Sequence, residues 1–188
     1  MKLHICGLDE IEEFRDKGIT HVLSLLNDED DDPDHIPAWL IPGLPIPPSI
    51  ADVHDLFESF DPHVRVVLRF DDVTIPTRFF TAPTAEDVEA ILAFGKNLSM
   101  TDNVLVHCHA GVSRSTAAAA LILLQAYPEK SAIEIFERIL RIRPIAVPNQ
   151  LILELGGYTL GRKEEILEAV KEIIYEPAMR RRLHNWSF

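Results

Sequence analysis

The sequence predicts an α/β fold. Two observations carry this reading: short runs of apolar residues with no polar alternation, as in strands buried on both faces, and longer stretches whose apolar residues recur every three to four positions. No repeat at a solenoid period competes with it. The 188 residues are enough for one domain with a substantial core, and 47% hydrophobic with 26% charged residues exclude disordered and fibrous classes.

Residues 3–6 form the first apolar run, residues 9–17 read as a helix that Gly18 terminates, and residues 21–26 form the second strand. The acidic run from Asp28 to Asp34 opens a proline-rich loop lasting to Pro48. It lacks the glycine and final glutamate of a calcium loop and reads as a solvated turn. Ser49 caps a predicted helix to about residue 59, which Asp61-Pro62 ends. Residues 64–70 form the next strand and run directly into Asp71-Asp72. Thr84, three positions before Asp87, starts a helix whose Val88, Ile91, Leu92 and Leu98 share one face.

Residues 104–106 are a short apolar strand. The segment His107-Cys108-His109-Ala110-Gly111-Val112-Ser113-Arg114-Ser115-Thr116 follows at once and leads into an alanine-rich helix that Pro128 stops. Residues 131–142 form another helix, stopped by Pro144, and residues 148–156 and 162–174 read as two final helices. Arg180-Arg181-Arg182 reads as a solvated helix end.

Composition narrows the function. Eighteen Lys and Arg against thirty Asp and Glu leave a net charge of −12, which disfavours broad nucleic-acid binding. The longest apolar stretch, residues 117–124, is far short of a membrane span, and the first residues lack the pattern of a secretory signal. Two cysteines, Cys6 and Cys108, make no disulfide framework and no CxxC pair. The expectation is a cytoplasmic protein with no stable membrane association.

The chemistry concentrates between His107 and Thr116. A loop opening into a helix turns several unpaired backbone N–H groups toward one spot, and the helix dipole adds positive potential there. Gly111 gives the loop backbone angles closed to other residues. Arg114, six positions after Cys108, can grip two phosphate oxygens with its planar fork. The field that attracts phosphate also stabilises a cysteine thiolate, and the hydroxyl of Ser115 or Thr116 is placed to hydrogen-bond the sulfur.

This segment resembles the Cys-x5-Arg-Ser/Thr signature of the cysteine-dependent protein tyrosine phosphatase superfamily, and His107 through Ser115 looks like its dual-specificity branch. The resemblance implies a central, mostly parallel mixed sheet of about four to five strands flanked by helices on both sides. It implies Cys108 as nucleophile, with Arg114 and the amides of His109, Ala110, Gly111, Val112, Ser113 and Arg114 holding the phosphate. It implies a general-acid aspartate after an earlier strand: Asp72, 36 residues before Cys108, with Asp71 as the alternative. Arg143-Pro144 followed by Pro148-Asn149 is similar to a further family segment, in which Asn149 is expected to support the loop. His107 is expected to orient the loop, and His109 to face solvent. No metal or cofactor is implied.

The expected core is 1–156, with 157–188 a C-terminal helical extension. The expected partner is a phosphorylated protein or a small phosphomonoester; phosphoinositides and a low-turnover phosphate-binding module stay open, as does a sulfur-transfer protein. Zinc at His107 and His109 lacks two further ligands at metal spacing. Cys6 reads as a core residue, or as a thiol that traps oxidised Cys108.

Overall fold

The computed structural model describes residues 1–27, 62, 64–177 and 179. The Asp28 to Asp34 run, the helix expected at 49–59 and the Arg180 to Arg182 cluster lie outside the described residues. Four strands, β1 (Lys2–Cys6), β2 (His21–Leu26), β3 (Val64–Arg69) and β4 (Asn103–His107), make one sheet in the order β1-β4-β2-β3. Every pairing among them is parallel, so their carboxyl ends lie along one edge. In open α/β sheets that edge is where ligands bind.

The alternation of side chains along the strands explains why the sheet is covered on both faces. Leu3, Ile5, Leu23, Leu25, Val104 and Val106 enter one core, and Cys6, Val22, Leu26 and Leu105 enter the other. The first core is covered by five helices: α1 (Ala85–Lys96), α2 (Arg114–Ala126), α3 (Ala132–Ile142), α4 (Gln150–Leu160) and α5 (Lys163–Val170). The second is covered by residues Leu8–Lys17, where the structure has a 3-10 helix and not the α-helix that its length suggests. The reason is visible in the sequence. Leu8, Ile11 and Phe14, its buried residues, are spaced by three, which is the 3-10 period and puts all three on one face.

Helix α2 passes through the middle of the larger core, with every residue from Arg114 to Leu124 buried. Alanines at 117–120 keep it slim, and Gly156 lets α4 press onto it: a Cβ there would lie 2.3 Å from the Leu121 side chain. Helix α4 starts two residues later than residues 148–156 predicted, because Pro148 and the capping Asn149 precede it, and it continues through the expected core boundary to Leu160. Helix α5 gives way to a π-helical turn, Lys171–Tyr175, whose Ile174 joins Ile166, Ala169 and Val170 in the same core. No helix among the described residues is long and apolar enough to cross a membrane.

Candidate active site

The loop between β4 and α2 can be derived from where its carbonyls go. The His109 carbonyl accepts from the Leu8 amide at 2.9 Å. The Ala110 and Gly111 carbonyls accept from Arg143 Nη2 and Nε at 3.1 and 3.0 Å. The Val112 carbonyl accepts from the Val147 amide and Thr116 Oγ1, and the Ser113 carbonyl from Thr116 Oγ1 and the amides of Ala117 and Asn149. In a planar trans peptide each C=O points opposite to the following N–H. Five consecutive carbonyls held on the outside therefore turn the amides of Ala110, Gly111, Val112, Ser113 and Arg114 inward. This is an anion cradle built from the backbone.

Gly111 is required in that loop for two reasons. Its φ of +67° lies in the left-handed region, and a Cβ would sit 2.4 Å from the Cys6 carbonyl carbon. Cys108 lies at the base, 2% exposed, with its sulfur 3.2 Å from Ser115 Oγ. Arg114 is equally buried, its Nη1 donates to the Phe70 carbonyl at 2.6 Å, and it lines the same cavity as Cys108. A cavity of about 340 Å³ opens above them. It is lined by Cys108, His109, Ala110 and Arg114 together with Asn27, Asp71, Asp72, Val73 and Phe80.

The two aspartates after β3 have different environments. Asp71 is buried, and its Oδ2 accepts from the Thr81 amide at 2.8 Å while its own amide donates to the Thr81 carbonyl. It closes the base of the loop 71–81. Asp72 is exposed, and its Oδ1 accepts from Ser113 Oγ at 2.7 Å and from Asn149 Nδ2 at 2.8 Å. It is thus fastened to the loop between β4 and α2 through Ser113.

His107 is fully buried and its Nε2 lies 2.7 Å from Ser24 Oγ, its register partner on β2. Burial, then the positive charges of Arg65 and Arg114, push its pKa down to about 3, so the ring is neutral at physiological pH. His109 is half-buried and lines the cavity, where solvent exposure was expected. Asn149 reaches the loop through its main chain, whose amide donates to the Ser113 carbonyl. Its side chain does not: Oδ1 caps α4 through the Leu151 and Ile152 amides, and the cap geometry directs Nδ2 to Asp72.

Cys6 packs under the 3-10 helix while Cys108 faces the opposite core, and burial followed by Glu10 raises the Cys6 thiol far above the ordinary range. The charge of Cys108 also acts on the Cys6 thiol, so the two sulfurs lie within electrostatic reach of each other. Residues that sequence reasoning missed are Phe80 and Asn27 on the cavity wall and Glu10, which holds Arg143 at 2.8 Å. No local pattern marks Phe80 or Asn27.

No protein-family model and no curated protein matches the sequence. Solved structures match by shape. The Cydia Pomonella PTP-2 phosphatase aligns with a TM-score of 0.55 at 18% identity, over 82% of this chain and 83% of that one. The human tyrosine phosphatase-like serine/threonine/tyrosine-interacting protein gives 0.55 at 16% identity, over 85% and 91%. PTPMT1 in complex with PI(5)P gives 0.53 at 18% identity, over 91% and 94%. Shape is what these likenesses share: in its fold this chain is similar to these phosphatase and phosphatase-like structures.

Proposed function

We propose that the chain is a phosphomonoester hydrolase, of the protein tyrosine or dual-specificity type, working through a cysteinyl-phosphate intermediate. The observation that carries this reading is the convergence of five inward amides and Arg114 around Cys108, in one cavity with Asp72. In the first step the Cys108 thiolate attacks phosphorus, the ester P–O bond breaks, and Asp72 gives its proton to the departing oxygen. Both bonds to Asp72 fall on Oδ1, so the transferable proton belongs on Oδ2. In the second step water attacks phosphorus, Asp72 takes the water proton, and the S–P bond breaks to return the thiolate. The Ser115 hydroxyl, within reach of the sulfur, stabilises that leaving thiolate. The amides and Arg114 stabilise charge on the equatorial oxygens through both steps.

The proposed catalytic core is 1–156, with 157–188 as a helical addition, and a reduced thiolate suits the cytoplasm. The loop positions His109, Ala110, Val112 and Ser113 add no fixed positive charge beyond Arg114, which favours a singly phosphorylated protein or small molecule. A phosphoinositide is the second reading, supported by the likeness to PTPMT1, which was solved with PI(5)P. Purified, reduced protein is expected to hydrolyse p-nitrophenyl phosphate, and Cys108→Ser is expected to be inert. Wild-type protein without turnover would overturn the enzyme reading, and a panel of phosphopeptides, PI(5)P and nucleotides separates the substrate classes.

A further inference from the structure

Among the described residues that hold the loop carbonyls outward, Arg143 is the charged one, and it holds two of them. Its Nε and Nη2 take the Gly111 and Ala110 carbonyls, while Nη1 pairs with Glu10 Oε1 at 2.8 Å. The other oxygen of Glu10 accepts from the Gly7 amide at 2.7 Å. Gly7 itself lies against the loop: a Cβ there would be 3.1 Å from the Ala110 carbonyl carbon and from the His109 carbonyl oxygen. The guanidinium is therefore fixed at one end by the segment after β1 and spends its remaining donors on the loop. Arg143 and Glu10 are 133 positions apart and neither lines the cavity, although Arg143 holds the carbonyl of Ala110, which does.

We propose that Arg143, set by Glu10, is a positioning residue that keeps the Ala110–Gly111 and Gly111–Val112 peptides in the phosphate-binding orientation. The proposal rests on the phosphatase reading above. Turning the Ala110–Gly111 peptide over mainly requires freedom at Gly111, the one loop residue whose backbone is permissive in both directions. A flipped peptide would aim a carbonyl into the cradle and withdraw an amide from it, and phosphate would meet a negative dipole where it needs a donor. A forked guanidinium can hold two consecutive carbonyls in fixed directions; the single ammonium of lysine cannot. The residue that gives the loop its shape thus also makes it prone to flip, and Arg143 opposes the flip from outside.

Arg162 supplies the control. It makes the same kind of contact elsewhere, with Glu165 at 2.7 Å and the Lys130 carbonyl at 2.7 Å, remote from the loop. The experiment compares Arg143→Lys, Arg143→Met, Glu10→Gln and Arg162→Met in the full chain. It measures p-nitrophenyl phosphate kinetics, melting temperature, and protection of Cys108 from iodoacetate by inorganic phosphate. Arg143→Met is expected to lower kcat/KM by roughly 10², the scale of losing an oxyanion donor, and Glu10→Gln by about tenfold. Arg143→Lys, which keeps the charge, is expected to need more phosphate for the same protection. Arg162→Met is expected to lose stability only. If Arg143→Met and Arg143→Lys keep wild-type phosphate protection, or fall no further than Arg162→Met, the positioning role is wrong. Absent turnover in wild type would instead remove the phosphatase reading, while phosphate protection would still decide the role of Arg143.

Discussion

Three helix starts in this protein can be set side by side. Helices α1 and α3 open on reciprocal capping boxes: Thr84 Oγ1 accepts from the Asp87 amide while Asp87 accepts from the Thr84 amide, and Ser131 and Glu134 do the same. Helix α2 opens on Ser113, which has the right side chain for a cap yet makes no such bond. Its hydroxyl donates to Asp72. The difference fits the function proposed for the third helix end. Two starts spend orphan amides on their own side chains; the third has no side-chain cap, as the proposed anion site requires, and its serine holds a carboxylate.

Breaking this contrast gives effects in a definite order. The largest is expected from Asp72→Asn, which should lower kcat by roughly 10² to 10⁴ and flatten the basic limb of the pH profile. Asp71→Asn should instead act through the Thr81 contacts, on stability more than on the basic limb; if it flattens that limb, the assignment of the acid is wrong. Ser113→Ala should cost about tenfold in kcat, within the range of a lost neutral hydrogen bond, with little change in unfolding free energy. Ser131→Ala reverses the pattern. Loss of a used cap should cost about 1 kcal/mol in urea unfolding and leave kcat/KM unchanged. Equal behaviour of the two serine variants would erase the distinction between the helix starts.

How much of this was legible in the sequence follows from distance along the chain. The strand, the cysteine-to-arginine loop and the helix after it are contiguous, and each is forced by local chemistry, so residues 104–124 could be read directly. The caps at Thr84 and Ser131 were equally local, although only the former was singled out. The reading of residues 9–17 stopped at a helix without telling 3-10 from α; the spacing of three among Leu8, Ile11 and Phe14 was the available signal. Long-range pairs were not legible. That Arg143 would reach Glu10 and two loop carbonyls depends on how α3 ends against the segment after β1, and that Asn149 would turn to Asp72 depends on its cap geometry. The opposite facing of Cys6 and Cys108 follows from strand register, which places Cys6 beside His107 and so one residue out of phase with Cys108.

The −12 charge gains meaning from the same geometry. A net charge of −12 gives a phosphate ester no long-range attraction, so the proposed binding would depend on the local positive field of the inward amides and Arg114. The central claim is that this field serves a covalent step at Cys108. Rapid chemical quench of Asp72→Asn with a phosphomonoester substrate, followed by peptide mass spectrometry, tests it most directly. The expected result is a phosphoryl group on the Cys108 peptide that is absent from Cys108→Ser. Substrate turnover with no phosphoryl group on Cys108, or full turnover by Cys108→Ser, would contradict the account.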